Sequence, residues 1–182
     1  MDQPLWVFGY GSLIWDPGFP VARSVTARLR GWRRSFCMTS IHYRGTPEAP
    51  GLVLALDEAP GAHCDGLAFE VAAGAEAETL AALRERELIS QAYLERWLPV
   101  GLAGGAEVAA LAYVVDPRHA QYAGGLDPEA QARIIAAATG GRGPNRDYLF
   151  NTVAHLDQLG IEDAELRGLA ARVRELGNGS AL

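Results

Sequence analysis

The sequence contains no lysine; all sixteen of its basic residues are arginines. That absence removes Schiff-base chemistry, a P-loop lysine and a lysine general base from consideration. The many alanines and glycines point to a GC-rich coding sequence as its cause, not to a functional demand. Cysteine is nearly as scarce. Cys37 and Cys64 are the only two, they stand far apart, and neither belongs to a Cys-x-x-Cys pair. Two isolated thiols read as small buried apolar groups in a reducing compartment. No apolar run approaches the roughly 20 residues needed to cross a bilayer. The first residues, Met1-Asp2-Gln3-Pro4, lack the basic and apolar regions of a signal peptide. A cytoplasmic chain without membrane association is therefore expected. His42, His63, His119 and His155 are scattered without metal-ligand spacing, so no metal is expected either. The formal net charge of -6 disfavours nucleic acid as a main partner. One basic run, Arg23, Arg28, Arg30, Arg33 and Arg34, reads as the outer face of a strand pair.

What is present is an ordinary globular composition. Apolar residues make up 49% of the 182 positions, without low-complexity tracts, which is enough for a sizeable core and predicts one domain over 1–182. Leu5 to Gly9 reads as a buried first strand, opening into the glycine loop Gly9-Tyr10-Gly11-Ser12 that Asp16-Pro17-Gly18 closes. Residues 25 to 43 predict one or two strands, followed by the turn Arg44-Gly45-Thr46-Pro47. A strand over Leu52 to Leu56, a turn at Pro60-Gly61 and a strand near Gly66 to Val71 come next. A helix is expected from about Ala75 to Ser90, then strands over Tyr93 to Val100 and Val108 to Val115. Asp127-Pro128 caps a helix reaching Thr139, where Gly140-Gly141 stops it. Two further helices run from Asn145 to Gly160 and from Glu162 to about Leu176. Strands come first and helices cluster late, which is not the alternation of a doubly wound sheet. The fold class expected is α+β: a mixed sheet or small β-barrel, with the helices from about residue 127 packed on it.

The glycine loop departs from the dinucleotide fingerprint, which needs glycine where Ile14 stands. It is not a nucleophile elbow, because Tyr10 occupies the first glycine position of Gly-x-Ser-x-Gly. What remains is a short stretch whose backbone N–H groups can face one point and hold a carboxylate or an oxyanion. A plain tight turn explains the same pattern. Glu87 offers a second candidate. Helical periodicity sets Leu80, Leu83 and Glu87 on one face, with Ala77 flanking it and Glu85 on the opposite side. A carboxylate on an apolar stripe has a raised pKa, as a base working near neutrality requires. Periodicity alone also allows a helix-end carboxylate paired with Arg84, or a stripe that ends before position 87.

The string Trp6-Val7-Phe8-Gly9-Tyr10-Gly11-Ser12-Leu13-Ile14-Trp15 resembles the signature of the ChaC family of γ-glutamylcyclotransferases. Three further stretches resemble that family in the same order. They are Arg44-Gly45-Thr46-Pro47 with Pro50-Gly51, Arg86-Glu87 followed by Tyr93, and Gly143-Pro144-Asn145-Arg146-Asp147-Tyr148-Leu149. The resemblance spans nearly the whole chain and implies a small barrel with flanking helices. It implies Glu87 as general acid and base, and Val7, Phe8, Gly9, Tyr10, Gly11, Ser12 and Leu13 as the segment holding the γ-glutamyl group, largely through backbone N–H donors. Tyr148 is implied as a hydroxyl contact, and Arg44 either as a substrate-carboxylate contact or as loop support. One departure stands out. Glutathione-specific forms often carry Lys-Gly-Gly-Tyr after the Arg-Glu pair, whereas this chain has Leu88-Ile89-Ser90-Gln91-Ala92-Tyr93, a longer and more apolar segment closer to the bacterial branch.

The reaction so implied is intramolecular: the α-amine of a γ-glutamyl residue attacks its own γ-carbonyl, forming 5-oxoproline and releasing the next amine. Glutathione would give Cys-Gly. It requires no cofactor and names no obligate protein partner. The alternatives are cyclisation of other γ-glutamyl amines or dipeptides, and a non-catalytic cation-transport regulator.

Overall fold

The computed structural model describes residues 3–179, which divide into two compact units interleaved along the chain. The first comprises residues 3–34 and 55–120, the second 35–54 and 121–179. Five strands form a closed barrel in the order β1-β3-β2-β4-β5: β1 (Trp6–Gly9), β2 (Val21–Ser40), β3 (Gly51–Val71), β4 (Tyr93–Leu102) and β5 (Glu107–Val115). The sheet is mixed, as expected. Strand β1 runs antiparallel to β3, with Val7 opposite Phe69, and parallel to β5, with Val7 opposite Leu111. All four β1 residues are buried, which is why the segment reads as a continuous apolar run instead of an alternating one.

Of the one or two strands expected over residues 25 to 43 one is found, and a single long strand replaces the two expected over Leu52 to Leu56 and Gly66 to Val71. Residues 21–40 are a single strand, and Pro60-Gly61 is no turn but lies inside β3. Gly61 has φ +83, where a residue without Cβ is at ease, and Pro60 forgoes only a donor. The chain is thus deflected there without leaving the sheet, and its turn chemistry is misleading when read locally. Helix α1 (Glu76–Glu87) is also shorter than expected, so Glu87 is its last residue.

In the second unit, α2 (Pro128–Ala137) starts as expected: Asp127 accepts a hydrogen bond from the Ala130 N–H at 2.8 Å, with proline at the first helical position. It ends two residues early, because Thr139–Gly140 (β6) and Gly143–Pro144 (β7) form a small hairpin. Helices α3 (Asn145–Gln158) and α4 (Ala164–Gly179) complete the unit. Its core joins Ile135, Leu149, Leu156, Leu166 and Val173, and Gln131 Nε2 donates to the Phe36 carbonyl at the end of β2. Cys37 and Cys64 are both buried, as expected, and neither is in a disulfide among the described residues. No described helix is long and apolar enough to cross a membrane.

Candidate active site

The loop after β1 and the end of α1 belong to the same unit. Val7 and Phe8 lie fully buried in β1 and hold the root of the loop. Gly9 ends the strand, and only glycine fits: a Cβ there would stand 2.8 Å from Phe69 Cε2 and 3.3 Å from Leu13 Cβ. Gly9→Ala is expected to cost about 1–3 kcal/mol through overpacking, read as a lower urea midpoint with an unchanged m-value.

Beyond Gly9, Ser12–Ile14 form one 3₁₀ turn, closed by hydrogen bonds from Ile14 N–H to the Gly11 carbonyl at 2.9 Å and from Asp16 N–H to the Ser12 carbonyl at 2.9 Å. The N–H groups of Gly11, Ser12 and Leu13 precede that turn and donate to no described residue. Gly11 and Leu13 are buried, and buried backbone donors are normally paired. Three successive orphan donors make a ready anion cradle.

Helix α1 brings Glu87 to the same unit on a buried stripe of Thr79 and Leu83, each four residues before the next. The stripe differs in detail from the sequence expectation: Ala77 is exposed, Leu80 is half-buried, and Thr79 holds the position that periodicity assigned to neither. Glu85 faces solvent, as expected. The Glu87 side chain is 17% exposed, and burial raises its pKa above the ordinary glutamate value, opposed only by the adjacent Arg86 at 3.4 Å. Arg84, the alternative partner, is engaged elsewhere: its guanidinium binds both carboxylate oxygens of Glu95, at 2.9 and 2.8 Å. That bidentate pair holds Glu95 below the usual carboxylate range. Arg86 connects helix and loop, donating to Ser12 Oγ at 3.0 Å and to the Asp16 carbonyl at 2.9 Å.

Two tyrosines complete the surroundings. The Tyr10 hydroxyl donates to the Tyr113 carbonyl at 3.0 Å, and the Tyr113 hydroxyl donates to Glu95 Oε2 at 3.2 Å. Burial, together with the negative charges of Glu95 and Glu87, pushes the Tyr113 phenol above its ordinary pKa, so it stays a neutral donor. Neither Glu95 nor Tyr113 carried a sequence signal, since their pairing spans the β4–β5 register, where Glu95 sits opposite Tyr113.

Arg34 corrects the reading of the basic run. Arg23, Arg28 and Arg33 do pair on the solvated side, with Glu70, Asp65 and Asp57. Arg34 instead turns inward, is 5% exposed, and donates from Nε to the Tyr10 carbonyl at 2.6 Å. A second guanidinium nitrogen donates to the Asp65 carbonyl. Strand alternation sets Arg33 and Arg34 on opposite faces, but it groups Arg34 with the exposed Arg28 and Arg30, so the pattern gave no sign of which one turns inward.

Arg44 and Tyr148 fall in the second unit and pack together there, with the guanidinium 5.5 Å from the ring centroid. Arg44 Nη1 donates to the Arg142 and Pro144 carbonyls at 2.9 and 3.2 Å, which supports the hairpin preceding α3. Burial lowers its pKa, although Tyr148 and Asp147 oppose that shift.

Comparison with known proteins bears on the family and the fold. A sequence model of the ChaC-like protein family matches residues 5–176. The glutathione-specific γ-glutamylcyclotransferase of Escherichia coli (strain K12) is 38% identical over 175 residues, covering 96% of this chain and 75% of that protein. The γ-glutamylcyclotransferase 2-3 of Arabidopsis thaliana is 36% identical over 180 residues, covering 94% of this chain and 89% of that protein. Among solved structures, a γ-glutamyl cyclotransferase specific to glutathione from yeast superposes with a TM-score of 0.86 at 21% identity, over 96% of this chain and 97% of that one. That last likeness concerns the fold: the five-stranded barrel with helices is shared.

Proposed function

The chain belongs to the ChaC-like family, and from that premise we propose that it is a γ-glutamylcyclotransferase cleaving glutathione to 5-oxoproline and Cys-Gly. The observation that carries this reading is a largely buried carboxylate, Glu87, joined through Arg86 to a loop whose three successive N–H donors find no acceptor among the described residues.

The chemistry follows from the substrate. Its α-amine is an ammonium at neutral pH and must lose a proton before it can attack. Glu87 takes that proton. The nitrogen lone pair then adds to the γ-carbonyl carbon, and the carbonyl electrons move onto oxygen, where the loop N–H groups stabilise the charge. As the intermediate collapses, the γ-amide C–N bond breaks and Glu87 gives its proton to the leaving nitrogen; the carboxylate so restored then takes the second proton from the ring nitrogen, which becomes the lactam N–H. Nucleophile and electrophile share one molecule, so holding a folded conformer supplies much of the acceleration. A raised pKa suits both halves of this task, because the group must accept and then release a proton near neutrality. A cytoplasmic location accords with this reading, and with two buried cysteines that form no disulfide among the described residues.

The test is release of 5-oxoproline by purified protein, with glutathione and γ-glutamyl dipeptides compared under the same conditions. Turnover of glutathione is the expected result. Release from dipeptides but not glutathione would keep the cyclotransferase and reject its substrate, and no release from either would reject the enzyme.

A further inference from the structure

We infer that Arg34 is a positioning residue for this reaction: by holding the Tyr10 carbonyl it aims the Gly11 N–H at the γ-carbonyl oxygen of the substrate. The inference rests on the cyclotransferase reading above.

A buried guanidinium is expensive unless every donor direction is used. Arg34 spends its donors on backbone carbonyls from two separate segments, Tyr10 in the loop and Asp65 in β3. The nearby Asp65 carboxylate is already held by Arg28, at 2.7 and 2.9 Å. Arg34 is therefore arranged as a brace on the peptide that follows Tyr10.

Peptide geometry supplies the consequence. None of the described peptide bonds is cis, so the Tyr10 carbonyl and the Gly11 N–H lie in one plane and point in opposite directions. Fixing the carbonyl on Arg34 fixes the N–H on the other side. That N–H is buried and has no acceptor among the described residues, as a donor reserved for a ligand would be. The Tyr10 side chain is anchored as well, through its hydroxyl on the Tyr113 carbonyl, so the residue is held at both ends. A cationic partner on the carbonyl also polarises the peptide and strengthens its N–H as a donor. The donor is thus set before the oxyanion forms, which is the condition for it to act on the transition state more than on the substrate.

The experiment compares wild type with Arg34→Lys and Arg34→Ala. Lysine keeps the charge but cannot bridge two carbonyls with a planar fork. Three quantities are read: kcat for 5-oxoproline release, the Kd of a glutathione analogue whose γ-glutamyl group lacks the α-amine and cannot cyclise, and the thermal midpoint. Removing one oxyanion donor typically lowers kcat by about 10²–10³-fold. Arg34→Lys is expected to lose about 10-fold or more of kcat on that scale while the analogue Kd changes less than about twofold. Added guanidinium ion is expected to restore part of the kcat of Arg34→Ala in a saturable way.

Folded Arg34→Lys with wild-type kcat would overturn the inference, as would a loss in analogue binding equal to the loss in kcat. If Arg34→Ala does not fold, the lysine variant decides alone. A silent wild type with both glutathione and dipeptides is a different result: it rejects the cyclotransferase reading itself, and the inference with it.

Discussion

Glu87→Gln is expected to lower kcat for 5-oxoproline release by about 10²–10⁴-fold, the usual worth of general acid–base help. Glutamine keeps the shape and the hydrogen-bonding oxygen but can neither take the proton from the α-ammonium nor return it to the leaving nitrogen. Binding of the substrate should survive, because the loop donors remain. Stability supplies an independent check of sign. Burial raises the Glu87 pKa, so between the ordinary glutamate value and the folded-state value the native protein binds more protons than the unfolded chain. Stability then falls as pH rises through that window, and the penalty is complete above it. Neutral glutamine escapes the penalty. The variant is therefore expected to be at least as stable as wild type at neutral pH, with the difference shrinking on acidification. Wild-type kcat/KM should fall on the acid side along a limb that lies above the ordinary glutamate pKa, since only the carboxylate can act as base. Near-normal turnover in Glu87→Gln would remove Glu87 from the mechanism.

Asn145→Ala is expected to produce the largest loss of stability. The Asn145 side chain is fully buried at the first position of α3, and its amide bridges a single residue of β3. Oδ1 accepts from the Leu52 N–H at 2.7 Å and Nδ2 donates to the Leu52 carbonyl at 2.7 Å. The pair works as one rung of a sheet ladder supplied by a side chain. Truncation leaves two buried backbone groups unpaired, each worth about 1–3 kcal/mol, which puts the loss at roughly 2–6 kcal/mol. Small domains have only about 5–15 kcal/mol in total, so denaturant unfolding should show a greatly lowered midpoint. Asn145→Asp separates the two halves: it keeps the acceptor for Leu52 N–H and loses the donor to the carbonyl. Loss of less than 1 kcal/mol in Asn145→Ala would mean that water replaces the amide at no penalty. Gly51 serves the same contact, because a Cβ there would lie 2.7 Å from Asn145 Oδ1.

Local patterns in the sequence were sufficient for whatever depends on near neighbours. The buried first strand, the late cluster of helices, the Asp127 cap and the α+β class follow from apolar period, proline and glycine positions, and capping chemistry, all of which act within a few residues. Local pattern left the glycine loop open to a plain tight turn and Glu87 to a helix-end carboxylate; the resemblance to a known family singled them out as candidates. Where a local signal met a distant partner, it failed. Pro60-Gly61 has the chemistry of a turn, yet strand pairing carries it inside β3. Thr79, not Ala77, lines the Glu87 stripe: burial there follows the four-residue spacing of Thr79, Leu83 and Glu87 and not the hydrophobicity of single residues.

Only the tertiary structure decided how the candidate residues are held. Arg84 is drawn off to Glu95, and burial raises the Glu87 pKa against the opposing charge of Arg86 alone. Arg86 reaches 74 residues back to Ser12, and Arg34 reaches 24 residues back to Tyr10. Asn145 closes on Leu52 across 93 residues. These are hydrogen bonds between segments that meet only when the barrel closes, and their distances and burial have no trace in periodicity. The sequence by itself determined which groups are available for the chemistry; folding determined which of them are left charged, unpaired and aimed, because desolvation and donor direction exist only once the surrounding chain is in place.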